Sequence, residues 1–219
     1  MEDGIYDHNR IVLQGVAAES PELSHALFEE RFFRMMLDVS RLSGNIDTVP
    51  VTVPERLLLS RPVGIGDKVV VRGQVRSYNR MEEGKNRLIL TAFARYLGPP
   101  EPDIVNPNDV MLDGFLCRVP NYRTTPFGRE ITDLLIAVNR PYGKSDYIPV
   151  IAWGHVARRA QTLDVGSHII ISGRLQSRDY QKKLDDETVV NRVAYEVSVT
   201  ELLLADREGA RQDGQATDR

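Results

Sequence analysis

The chain combines 219 residues with a slightly acidic balance, 28 lysines and arginines against 31 aspartates and glutamates, for a formal net charge of −3 at pH 7. This charge argues against a generic basic nucleic-acid binder, so any such function needs a local stripe of positive charge. The one cysteine, Cys117, excludes an internal disulfide and a multi-cysteine zinc cluster. Because there is no signal-peptide pattern and no apolar run near the roughly 18 residues of a membrane span, we expect a cytoplasmic protein without membrane contact.

The sequence repeats itself at a spacing of 99 to 100 residues. Asn9–Gly15 (NRIVLQG) matches Asn108–Gly114 (NDVMLDG), and residues 64–77 match residues 164–177. Single residues also recur in pairs: Arg41 and Arg140, Asp47 and Asp146, Pro50 and Pro149, Gly73 and Gly173, Ser77 and Ser177. Two units are too few for a solenoid, so the pattern predicts a tandem duplication of one domain.

Each unit contains five segments of strand-like character, with a short helical segment after the third. In the first unit we predict strands at 9–16, 31–42, 46–53, 67–78 and 87–97, and a helix at Glu55–Leu59. In the second unit we predict strands at 108–119, 129–140, 145–153, 166–180 and 190–203, and a helix at His155–Leu163. This order predicts an all-β chain of two tandem OB-fold barrels, partly open barrels that often bind oligonucleotides or oligosaccharides.

The map divides the chain into an N-terminal barrel (1–97), a proline-rich linker (98–107), a C-terminal barrel (108–205) and a tail (206–219). The linker reads GPPEPDIVNP and carries four prolines. The tail loses the apolar pattern and is predicted to be disordered. We interpret residues 22–31 as a hairpin tip peculiar to the first unit.

The two units keep the same inward residues but differ on the outward face. The inward Val49, Val51 and Val53 of the first unit correspond to Ile148, Val150 and Ala152 of the second. The outward aromatics Tyr142, Tyr147, Trp153 and Tyr180 correspond to Ser43, Thr48, Pro54 and Arg80. We therefore expect a degenerate first barrel that serves as scaffold or dimerisation domain, while only the second presents stacking rings.

Aromatic rings interleaved with guanidinium groups on one sheet face are typical of surfaces that stack bases and neutralise phosphates. The candidate phosphate-binding cations of the second unit are Arg118, Arg123, Arg140, Lys144, Arg174, Arg178, Lys182 and Lys183. The alternatives are that the rings pack in a subunit interface and that each charge is merely solvated.

The second unit, over roughly 108–203, resembles the bacterial single-stranded DNA-binding protein family. The resemblance is carried by the segments LDGFLCRVPNYRTTPFGREITDLLIAVNR, SDYIPVIAWGHVA, VGSHIIISGRLQSRDY and AYEVSV. It implies that Tyr142, Tyr147, Trp153 and Tyr180 stack on bases and that two tandem-barrel chains dimerise to give four barrels. The chain ends in QATDR rather than in the acidic tip with terminal Pro-Phe that recruits repair proteins in that family.

Signals for catalysis are poor. Gly143-Lys144-Ser145 is similar to the end of a P-loop, but Val138 stands where that motif needs glycine. The four histidines lack metal-ligand spacing, so we expect no metal, no cofactor and no enzymatic activity. The sequence predicts a binder of single-stranded DNA without sequence preference, acting in replication, repair or recombination. The alternatives are an RNA-binding or primosome-type accessory protein and, with less support, an OB-fold nuclease.

Overall fold

Two barrels of the same plan make up the computed structural model, which describes residues 8–82, 84–183 and 189–205. The strands of the first barrel are β1 (Asn9–Ala17), β2 (Glu22–Leu27), β3 (Glu30–Ser40), β4 (Ile46–Pro54), β5 (Lys68–Glu82) and β6 (Lys85–Gly98). Those of the second are β7 (Asn108–Leu116), β8 (Asn121–Thr124), β9 (Glu130–Asn139), β10 (Ser145–Trp153), β11 (His168–Lys183) and β12 (Val189–Leu204). The helices are α1 (Glu55–Ser60) and α2 (Gly154–Ala160), with a 3-10 turn at Pro141–Gly143.

Each barrel closes because its first strand pairs on both sides. β1 pairs antiparallel with β5 and with β3, and β7 pairs in the same way with β11 and β9. Strands β4 and β6 pair in parallel at Val51 and Ala92, and β10 and β12 pair in parallel at Val150 and Val197. The inward residues predicted for β4 and β10 are all buried. Two tandem OB-folds, the predicted fold class, are therefore confirmed.

Two details differ from the sequence-based prediction, and a third cannot be compared with it. The segment at residues 22–31 is a hairpin of β2 and β3, and it is not peculiar to the first unit, since β8 pairs with β9 at the same place in the second. The second helix ends at Ala160 rather than Leu163, because the N–H of Leu163 donates to the carbonyl of Ala160 in a tight turn. The predicted disordered tail, 206–219, lies outside the described residues.

The recurring glycines Gly73 and Gly173 stand where neighbouring backbones touch. A Cβ atom would lie 1.9 Å from the Phe93 carbonyl oxygen at Gly73 and 2.2 Å from the Ser198 oxygen at Gly173. Both positions adjoin a break in strand register. A β-bulge increases strand twist, and here it recurs in both barrels, where β5 pairs with β6 and where β11 pairs with β12.

The barrels are joined through their first strands. β1 pairs antiparallel with β7 from Asn9, opposite Leu112, to Leu13, opposite Asn108. Asn9 and Leu13 are the repeat equivalents of Asn108 and Leu112, so the pairing is nearly twofold symmetric about Ile11 and its partner Val110. The described strands therefore form one continuous twelve-stranded sheet.

Candidate nucleic-acid interface

A groove of about 820 Å³ runs between the two barrels. Strands β3 to β6 line one side of it, and the second barrel lines the other with β8 to β12 and the loop after β7. We call it the central groove. Among the described residues, its arginines are Arg34, Arg80, Arg87, Arg118, Arg123 and Arg178, and its acidic residues are Asp133 and Glu196. The groove is thus a local region of positive charge on a chain whose net charge is −3.

Tyrosines from both barrels also line the central groove. Tyr78 comes from β5, and Tyr180 comes from the equivalent strand β11. The repeat equivalent of Tyr78 is Arg178, and that of Tyr180 is Arg80. The tyrosine and the arginine therefore occupy the same two positions in both strands, but in opposite order. The expectation that only the second barrel presents rings is therefore wrong, because Tyr78 is 43% exposed.

Two groove arginines are held by carboxylates of their own barrel. Arg123 Nε donates to Asp133 Oδ2 at 2.8 Å, and Arg178 Nε donates to Glu196 Oε1 at 3.2 Å. The bond from Arg178 to Glu196 raises the pKa of Arg178. These contacts orient the guanidinium groups, and each leaves further N–H donors for a phosphate.

The predicted rings of β10 lie outside the central groove. Tyr147 is 49% exposed, and its backbone N–H donates to Ser77 Oγ at 2.8 Å. Trp153 is partly buried and ends the strand just before α2. Six residues of strand separate these two rings by about 20 Å. Pro149 lies between them on the same outward face and does line the groove.

The remaining predicted cations lie in different settings. Arg140 is bound through two nitrogens to the buried Asp146 at the junction of the barrels. Arg174 donates to Gln176 Oε1 at 3.2 Å, and burial lowers its pKa, as does the nearby Arg41. Lys144 is exposed in the turn before β10. The predicted side chains of Tyr142, Lys182 and Lys183 lie outside the described part of the structure.

The structure therefore brings together four of the predicted site residues, Arg118, Arg123, Arg178 and Tyr180, and adds residues that were not predicted. Tyr78 and Arg80 alternate along β5 as Arg178 and Tyr180 do along β11, so a comparison of whole strand faces could have found them. Arg34 and Tyr195 gave no sequence signal, because they meet only through the docking of the barrels. Their proximity is visible in the pKa of Tyr195, which burial raises and Arg34 lowers.

Residues of the described part contain no group of three or more histidine, cysteine or acidic side chains that could hold a metal ion. Of the two helices described, neither is long and apolar enough to cross a membrane.

The second barrel matches a known protein family. Residues 107–204 match the single-strand binding protein family. The single-stranded DNA-binding protein of Clostridium tetani is 39% identical over 83 residues, which cover 35% of this chain and 57% of that protein. The single-stranded DNA-binding protein A of Bacillus subtilis is 32% identical over 96 residues, or 41% of this chain and 56% of that protein. The chain thus spans just over half the length of the curated relatives that it matches.

The whole chain has a structural counterpart. The wild-type single-stranded DNA-binding protein of Thermus aquaticus superposes with a TM-score of 0.69 over 95% of this chain and 96% of that one, at 22% identity. A deletion mutant of that protein gives a TM-score of 0.71. The two-barrel fold is therefore shared over nearly the full length, while sequence similarity to the single-strand binding protein family lies in the second barrel.

Proposed function

We propose that this chain binds single-stranded DNA without sequence preference and protects it during replication, repair or recombination, in the cytoplasm at the nucleoid. The observation that carries the proposal is the central groove, where arginines and tyrosines from both barrels face one another. The family match of residues 107–204 supports the same ligand.

Binding without sequence preference follows from the chemistry of the groove. Every base has a flat π-face, and stacking one base on an aromatic side chain contributes about 1–3 kcal/mol whatever the base is. Arginines neutralise phosphates and release counterions, so the affinity falls as salt rises. A duplex keeps its base faces stacked on each other and so cannot use Tyr78 and Tyr180 in this way.

The test is titration of a dye-labelled oligo-dT with the protein at several salt concentrations, read by fluorescence anisotropy. We expect tight binding and a linear fall of log affinity with log salt. Arg118→Gln should weaken binding and make the slope of log affinity against log salt shallower by about one, the amount expected for the loss of one phosphate contact. The matched control is Arg159→Gln, because Arg159 is exposed on α2 and outside the central groove. An equal effect of both changes would remove the groove from the mechanism.

Two further arms of this titration separate the alternative functions. Competition with RNA of equal length should leave the DNA complex intact, and a preference for RNA would retire the DNA assignment. Incubation of labelled single strands with magnesium or calcium should leave them uncut, whereas cleavage would indicate a nuclease.

We also propose that two chains associate to give four barrels. Once β1 and β7 are paired, the broad sheet of β6, β5, β1, β7, β11 and β12 keeps an outer face. On it Phe115 is 40%, Tyr96 43% and Leu203 46% exposed, which supports a second copy as the covering partner. Sedimentation should give twice the mass of one 24.7 kDa chain, and Leu203→Glu should halve it. A monomeric wild-type protein would contradict this.

A further inference from the structure

A second pocket, of about 770 Å³, lies on the first barrel beside the central groove. We call it the side pocket. Its aromatic wall consists of His25 from β2, Phe32 from β3 and Phe93 from β6. The His25 ring stacks on Phe32 with centroids 5.0 Å apart and planes 14° apart, and Phe32 and Phe93 are 5.9 Å apart. The pocket thus presents flat rings on the barrel that was expected to carry none.

Cations surround these rings. The guanidinium carbon of Arg76 lies 6.0 Å from the centre of the Phe93 ring, and Arg80 and Arg140 also line the pocket. Burial lowers the pKa of Arg76, and the neighbouring Arg140 lowers it further. Positive charges therefore crowd a partly desolvated site whose nearby carboxylate, Asp146, is already shared between both arginines. Such a site favours an anion next to an aromatic group.

The three rings of this pocket do not recur in the second barrel. By strand pairing, the positions equivalent to His25, Phe32 and Phe93 hold Arg123, Ile131 and Ser198. The rings are therefore not needed to close a barrel of this plan, since the second barrel closes without them. A purely structural origin leaves their clustering around an open pocket unexplained.

The side pocket is continuous with the central groove. Thr52, Tyr78, Arg80 and Thr91 line both, so the Tyr78 ring stands at the passage from one to the other. A single nucleic-acid strand that leaves the central groove past Tyr78 would meet Phe93 next.

We propose that the side pocket holds a base and its adjoining phosphate from the same single strand that occupies the central groove, which makes the first barrel a second reader of the strand. This inference rests on the proposed function. The base stacks against the aromatic wall, on the exposed face of His25 or on Phe93, and Arg76 and Arg80 lie where its phosphate would reach.

The experiment compares the affinity of full-length variants for oligo-dT. Phe93→Leu keeps an apolar side chain and removes the π-face, and His25→Ala removes an exposed ring. Each should weaken binding roughly 5- to 150-fold, the range for the loss of one stacked base. The matched controls are Phe33→Leu, on the same strand as Phe32, and His155→Ala, on α2. Both residues lie outside the central groove and the side pocket, and both variants should bind oligo-dT like the wild type.

Photocross-linking adds a direct readout. Oligo-dT that carries 5-iodouracil should cross-link to Phe93 itself, located by fragmentation of the tryptic peptide of residues 88–95, because Leu88, Ile89 and Leu90 in that peptide line the central groove. Unchanged affinity in both variants, or no cross-link to Phe93, would overturn the inference while wild-type binding to oligo-dT upheld the proposed function. If the wild type itself fails to bind oligo-dT, the proposed function fails, and this inference fails with it.

Discussion

Two aspartates without solvent exposure, Asp47 and Asp146, hold the barrels together. Asp146 Oδ1 accepts the backbone N–H of Ser77 in the other barrel at 2.6 Å, and Asp146 also binds Arg140 and Arg76. Asp47 is bound by Arg41 through two hydrogen bonds of 2.6 Å and accepts the N–H of Ser177 at 3.3 Å. Arginine, aspartate and serine recur in the sequence because each barrel uses them to contact the other.

Asp146→Asn should destabilise the chain strongly. The amide keeps the shape of the carboxylate but leaves Arg76 and Arg140 partly buried without a counter-charge. Breaking a buried pair from one side costs about 3–5 kcal/mol, and urea denaturation should show this loss in the free energy of unfolding. Asp109→Asn is the control, because its pair with Arg10 is about half exposed and such pairs contribute about 0–1 kcal/mol. Losses of equal size would mean that Asp146 is not a structural charge.

At the scale of elements, strands with one buried face could be predicted, and strands without one could not. From Val49 in β4 and from Ile148 in β10, every second residue is apolar and buried, so the strand and its inward face both follow from the sequence. In β2 all six residues are exposed, and β8 has only four residues and no buried side chain. Hydrophobic periodicity cannot reveal such strands, since nothing in them is selected to face a core.

The candidate site was predictable to a similar extent. Arg178 and Tyr180 followed from the alternation of β11, since residues two apart share a strand face. The same rule applied to β5 would have assigned Tyr78 and Arg80 to the outward face. Comparing only equivalent positions missed this, because Arg80 stands opposite Tyr180 in the repeat and suggested that the first barrel had lost its ring. Arg34 and Phe93 became site residues only once the docking of the barrels and the parallel pairing of β4 with β6 were known.

At the scale of the whole molecule, the net charge is a poor guide to the ligand. The chain is acidic overall, yet arginines concentrate where the two barrels meet. Because charge within a cleft acts through its local potential, such a groove can attract a polyanion to an acidic protein. Duplication makes this possible, since the near-twofold pairing of β1 with β7 turns the equivalent hairpins of both barrels toward one groove.

The joined sheet predicts that the barrels remain together when the chain between them is cut. Val105 in the linker is 85% exposed, and a protease site inserted there lengthens a surface loop at little cost. After cleavage the β1–β7 pairing, the Arg10–Asp109 ion pair and the buried aspartates at the junction remain. The two halves should therefore co-elute in size-exclusion chromatography in buffer and separate only in denaturant, with the uncut protein as reference. Halves that elute separately in buffer would show that the linker, rather than the sheet, holds the central groove together.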